Sequence, residues 1–258
     1  MSANSQVKLA KLRRFNVIMG FFHFVQGILV LVLSTDFALP VTTAFQVFDN
    51  ATNRLVSDFR TAFELPIGPI VAAFLLLSSI AHFAVASPGI YPWYERNLRK
   101  GANYARWIEY SLSSSLMIVV IAMLVGIYDV VALIAIFAVN ATMILFGWMM
   151  ELHNQTTEKP NWTSFWFGTF AGLIPWIGIA VYLIGAGQGD QGPPAFVYGI
   201  FFSIFVFFNT FAINMVLQYK KVGKWKDYLY GERAYILLSL FAKTALAWQV
   251  FGGTLRPV

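Results

Sequence analysis

The sequence predicts an all-α bundle of seven transmembrane helices, with its amino terminus cytoplasmic and its carboxyl terminus extracellular. Three observations predict it. The composition is 58% hydrophobic and 12% charged over 258 residues, with a mean hydropathy of +0.65, too apolar for a soluble domain. Windows of about 20 apolar residues, enough to cross a bilayer at a helical rise of about 1.5 Å per residue, recur seven times. They lie near 15–34, 66–87, 102–126, 130–150, 162–186, 194–219 and 232–253. The basic residues are also partitioned by side. Of 18 Lys and Arg, 14 fall in the amino-terminal segment and the second, fourth and sixth loops, three (Arg54, Arg60, Arg256) lie on the opposite side, and the last is Lys243. Basic loops stay cytoplasmic, which sets the orientation in a cell membrane.

Taken in order, residues 1–258 read as one seven-helix domain. The first span follows Lys11, Arg13 and Arg14 and lacks a small-residue cleavage site. It reads as a retained membrane helix rather than a signal peptide. The external segment 35–65 alternates through Ala44, Phe45, Gln46, Val47 and Phe48, turns at Asp49 and Asn50, and resumes at Arg54. That pattern predicts a β-hairpin, with a plain loop as its alternative, and Phe45 and Val47 offer an edge that can pair across a homodimer. The other outer loops, Tyr128-Asp129 and 187–193, are short. Pro175 alone interrupts a span deeply. The sixth loop carries Lys220, Lys221, Lys224 and Lys226, a basic face that can recruit a soluble cytoplasmic partner or anionic lipid, although orientation alone also explains it.

Composition excludes several functions. The chain has no cysteine, so neither disulfide nor thiolate chemistry is available. Three histidines, at 23, 82 and 153, do not suggest a metal site. The net charge of +6 follows from topology, and no nucleic-acid motif accompanies it.

The seventh span has Lys243 at its centre, with apolar-rich sequence on both sides. A lysine at mid-bilayer costs about 2.5–3.5 kcal/mol to insert and needs a partner or a purpose. It can snorkel, form a structural ion pair, or carry a Schiff base to an aldehyde. Roughly 15 Å separate it from either end of the span, too far for its side chain to escape. Eleven of the twelve acidic residues fall in loops or at span ends, and Glu109 is the exception. The third and seventh spans run in the same direction. Glu109 sits about 12 Å and Lys243 about 17 Å from the cytoplasmic end, and side chains lean toward a helix's amino terminus, so the two can meet. A purely structural buried pair is a poor source of stability. One Lys and one Glu inside seven spans match a retinal site, although lone lysines also serve transporters. Ser239, one turn before Lys243, and Ser113, one turn beyond Glu109, can bond this pair or their own backbone.

Several motifs resemble heliorhodopsins across nearly the whole chain: Trp107 to Ser115 around Glu109, Ala138 to Ala141, Leu145 to Trp148, Gly231 to Tyr235, and Ser239 to Lys243. The resemblance implies all-trans retinal bound to Lys243, Glu109 as counterion, a light-sensing role and dimers. It also implies that His23, His82 and Gln26 form a hydrated polar cluster able to take up the Schiff-base proton, a helix-packing role being the alternative for each histidine. Asn140 is expected to bond across helices or line the ligand pocket, while Trp166 and Phe208 are expected to flank the polyene. The expected protein is a photoreceptor that signals toward the cytoplasm, not an enzyme. A light-driven ion pump or channel is the nearest rival. Ordinary microbial proton pumps resemble one another in a second carboxylate eleven residues after the counterion, and position 120 is Val here. A transporter using Lys243 and Glu109 is the second rival, but no internal repeat or matched pair of broken helices accompanies it.

Overall fold

The computed structural model describes residues 3–189 and 192–257. Among these, seven helices are long and apolar enough to cross a membrane. They are α1 (Ala3–Leu33), α2 (Ile67–Ala86), α4 (Tyr104–Leu124), α5 (Val130–Asn154), α6 (Thr163–Ala186), α7 (Ala195–Tyr219) and α8 (Tyr228–Val250). A short helix, α3 (Tyr91–Arg99), joins α2 to α4, and a π-helical turn, Phe251–Leu255, extends α8. The expected spans are all present. Some ends differ from what hydropathy implied: α1 begins at Ala3 rather than near 15, α5 runs to Asn154 rather than 150, and α8 begins at Tyr228 rather than 232. Helix continues past the apolar window in these cases because polar residues at the membrane surface are still compatible with intrahelical bonding. The loop 187–193 is only partly covered, since residues 190 and 191 lie outside the described residues.

Local chemistry sets the helix ends. The side chains of Asn103, Asp129 and Asp227 cap α4, α5 and α8 by accepting from the backbone N–H of Arg106, Ala132 and Leu229. Pro66 and Pro194 precede α2 and α7, where a missing N–H costs nothing. At the end of α4, Gly126 adopts φ +98°, and Ile127 N–H donates back to Ala122, a left-handed cap that favours glycine.

The predicted hairpin is present and longer than the alternation suggested. Strand β1 (Ala38–Asp49) pairs antiparallel with β2 (Arg54–Pro66), with an irregularity at Val41/Thr42. Asp49 closes the turn by accepting from Ala51 N–H at 2.9 Å and the Thr52 hydroxyl at 2.7 Å. The Thr52 hydroxyl and these backbone donors hold its carboxyl below the usual range. Thr42 N–H donates to Tyr128 at 2.8 Å and Thr35 N–H to Leu255 at 2.9 Å, docking the hairpin's base on the bundle.

The interior divides into two halves. Toward the hairpin end it is apolar, built on Phe74, Ile118, Ile121, Ile179, Ile200 and Leu246. Toward the amino-terminal end, buried polar and charged groups collect, among them Asn16, His23, Ser78, Arg106, Glu151 and Glu232. Lys243 stands where the two halves meet.

Candidate functional site

Lys243 is 3% exposed, and its Nζ has three hydrogen-bond partners. It donates to Glu109 Oε1 on α4 at 2.8 Å, to Ser78 Oγ on α2 at 2.5 Å, and to Ser239 Oγ one turn earlier on α8 at 3.0 Å. Ser78 in turn donates to Glu109 Oε1 at 2.6 Å. The ammonium also lies 5.2 Å from the centroid of the Tyr110 ring, within cation–π range. Three helices therefore converge on one nitrogen, and a serine clamps the cation to the carboxylate. Charge-assisted bonds of this kind are stronger than neutral ones, more so in a low-dielectric interior.

Two cavities flank the pair. The larger has a volume of about 140 Å³. Trp107, Met117, Met143, Phe208 and Phe211 form part of its wall, and Lys243 and Ser239 border it. The smaller, about 40 Å³, is the more polar of the two, with Asn16, Ser78, His82, Arg106, Glu109 and Glu232 among the residues that border it. Lys243 thus faces the apolar space and Glu109 the polar one, while Tyr110 and Tyr235 border both.

The residues fit a long apolar aldehyde such as retinal. Flat aromatic and sulfur-bearing walls suit a polyene, and a buried amine in that wall can form the imine. Ser113 Oγ, also in the wall, is buried without a hydrogen-bond partner. Gly147 gives the Trp107 ring its place, since a Cβ there would lie 2.5 Å from the ring. At Gly168 a Cβ would come within 3.1 Å of Phe146.

The remaining expected residues divide. Phe208 borders the apolar cavity. Trp166 does not: it is 64% exposed on the outer face of α6, and the preceding Phe165 takes the wall position. Asn140 crosses between helices, donating to Ser114 at 2.8 Å and Ser115 at 3.0 Å, and does not border the cavity. His82 borders the polar cavity and shares a 2.8 Å hydrogen bond with Asn16. His23 stacks on His82 with ring centroids 5.5 Å apart, and both its ring nitrogens are buried without partners. Gln26 turns away from this group, accepting from Trp248 Nε1 at 3.1 Å and donating to its own helix at Phe22.

Sequence reasoning missed Ser78 and Asn16. One signal was available for the first, because Ser78 lies four residues before His82 and so on the same face of α2. It also left Glu151 and Glu232 among the acids at span ends, whereas both side chains are almost completely buried. They grip Arg106, one turn before Glu109 on α4, with Glu151 Oε1 at 2.5 Å and Glu232 on the other side of the guanidinium. The guanidinium lies over the rings of Trp107 and Tyr235, 4.4 Å and 4.0 Å from their centroids. Removing the cation strands two carboxylates. Arg106→Met is therefore expected to destabilise the protein by about 3–5 kcal/mol, read as a lower thermal unfolding temperature in detergent. Unfolding at the wild-type temperature would mean that the network contributes nothing.

Comparison with known proteins bears on the fold and the family. The crystal structure of the transmembrane domain and linker region of Salpingoeca rosetta rhodopsin phosphodiesterase superposes with a TM-score of 0.59 at 12% identity, covering 95% of this chain and 73% of that one. At that identity the likeness is one of fold. No match was found among curated proteins. Residues 12–255 match the sequence family described as heliorhodopsin, nearly the whole length of the bundle, and the chain belongs to the heliorhodopsin family.

Proposed function

We propose that the chain is a photoreceptor that holds all-trans retinal on Lys243 through a protonated Schiff base, with Glu109 as counterion, and signals without pumping ions. Family membership supports a retinal-type photoreceptor. The observation that carries the finer reading is the position of Lys243 Nζ, in the wall of the apolar cavity and 2.8 Å from Glu109. When bound, retinal supplies visible absorption and a bond that isomerises in light.

The protein's own groups do the rest. Glu109 balances a positive charge at the Lys243 nitrogen, Ser78 and Ser239 orient that nitrogen, and Trp107, Phe208 and Phe211 exclude water from the apolar side. His82, with His23 stacked behind it, stands beside the counterion where it can exchange a proton. The partition of Lys and Arg supports a cytoplasmic amino terminus, which places the polar cavity on the cytoplasmic side of Lys243 and the hairpin outside. The basic loop holding Lys224 and Lys226 is then the face offered to a cytoplasmic partner, and the exposed hairpin residues Phe45 and Val47 a surface for a second copy.

Adding all-trans retinal to the expressed apoprotein tests the reading. A visible band distinct from free retinal and bleached by hydroxylamine is expected, and a spectrum equal to the sum of its parts would refute it.

Sustained transport is not expected in light. A pump needs proton-exchanging groups on both sides of the nitrogen. On the hairpin side α4 buries Met117, Ile118, Val120 and Ile121, and among the described residues no carboxylate is buried there. Illuminated cells in unbuffered suspension should give no pH change. A light-induced change abolished by a protonophore would establish pumping instead.

A further inference from the structure

One corner of the bundle, where α1 meets the turn from α2 into α3, carries two arginines that the proposed function does not use. Arg13 and Arg14 stand directly before the apolar run of residues 15–34, at the depth where α1 leaves the membrane. Arg13 is half-buried and held from two sides. Its Nε donates to the carbonyl of Ala86, the last residue of α2, at 2.8 Å. Its guanidinium lies over the ring of Tyr91, the first residue of α3, 4.4 Å from the centroid. A cation is favourable at the carboxyl end of a helix, but this contact uses only one of the five guanidinium N–H groups. Among the described residues the two terminal nitrogens of Arg13 have no hydrogen-bond partner, and neither is buried.

Arg14 is exposed. Among the described residues no carboxylate pairs with either arginine, and the one acid of α3, Glu95, is engaged by Arg99. Deeper along the same surface the character changes to aromatic. Phe21 lies seven residues after Arg14, hence on the same face of α1, and is 57% exposed. It meets Phe83 of α2 edge-on, with ring centroids 5.1 Å apart. Two unpaired cations at the membrane surface above an apolar track are the complement of an anion that carries a hydrocarbon chain.

We infer that this corner binds one anionic phospholipid, with its phosphate held by Arg13 and Arg14 and an acyl chain lying against Phe21 and Phe83. A planar guanidinium offers parallel donors that match phosphate oxygens. Ala86 and Tyr91 already fix that of Arg13, so little side-chain freedom is lost on binding. The exposed Lys220, Lys221 and Lys224 of the sixth loop are point charges on flexible stems and lack this preorganisation. A lipid such as phosphatidylcholine brings its own cation against the two arginines and is disfavoured. Free phosphate has no chain to cover Phe21 and Phe83. Neither Lys243 nor retinal enters the binding, so its outcome is independent of colour.

Native mass spectrometry of the full chain in neutral detergent, titrated with phosphatidylglycerol or phosphatidylcholine, tests this. One phosphatidylglycerol is expected to stay bound, on the order of tenfold more tightly than phosphatidylcholine. Arg14→Gln and Arg13→Lys are each expected to erase most of that preference, the second because the charge remains while the planar fork is lost. The double variant Lys220→Gln, Lys221→Gln removes more charge than either and is expected to leave the preference intact. Should Arg13→Lys not fold, Arg14→Gln carries the test, since the exposed Arg14 side chain has no hydrogen-bond partner among the described residues. Equal retention of the two lipids by the wild type overturns the proposal. So does a loss of preference in the loop variant as large as in Arg14→Gln, which would mean a general attraction of basic loops for anionic lipid. Displacement of the lipid by inorganic phosphate at equal concentration overturns it as well, because the occupant would then be a free anion.

Discussion

Glu109→Gln is expected to shift the visible band to the red, or to leave the Lys243 nitrogen unprotonated at neutral pH so that the protein absorbs near the ultraviolet. Glu109 Oε1 is 2.8 Å from Nζ and also accepts from Ser78. An ionised carboxylate in that place holds positive charge at the nitrogen end of the polyene and widens the gap between ground and excited states. Gln preserves shape and hydrogen bonding while removing the charge, so the colour change reports the charge itself. Acidifying the wild type should redden it as Glu109 takes up a proton, and Glu109→Gln should lack that transition. The nitrogen and Glu109 titrate as a pair, so the apparent constants belong to both. A variant with the wild-type band and the wild-type acid transition would remove Glu109 as counterion.

Lys243→Ala is expected to abolish colour completely, because no other lysine borders the apolar cavity and its wall would then hold no amine. The substitution leaves Glu109 with Ser78 but without a cation. An unpaired buried carboxylate costs several kcal/mol, so the variant should also unfold at lower temperature or bind a proton at Glu109. Lys243→Met, nearer in volume, separates lost chemistry from lost packing. A coloured Lys243→Met protein would show that retinal attaches elsewhere.

What could be read from the sequence depended on how strongly each residue violates its surroundings. Lys243 and Glu109 stood out because a charge in the middle of an apolar span has no ordinary explanation, and equal helix direction was enough to bring them to similar depth. The hairpin was legible from its alternation and from Asp49, although its strands extend to Ala38 and Pro66, where the pattern no longer alternates. Ser78 escaped notice because a serine in a span satisfies itself on its own helix, and it does bond Phe74 O. Glu151 and Glu232 were hidden by position: near a span end a carboxylate can reach water, and only packing decides that these two reach Arg106. Trp166 illustrates a different limit. Hydropathy places α6 in the membrane but does not set its rotation about its own axis, and one residue, about 100° of turn, separates the lipid-facing Trp166 from Phe165 in the cavity wall. Gln26 was placed one turn from His23 on the right helix, yet Trp248 on α8 supplied it with a different partner.

The most direct measurement is chemical. The retinal-loaded protein is treated with borohydride in light, digested, and its peptides are weighed by mass spectrometry. A retinyl group reduced onto the peptide containing Lys243, at near-stoichiometric yield, is the predicted result. A retinyl group on any other lysine, or none on a protein that is nonetheless coloured, would contradict the assignment of Lys243 as the site of attachment.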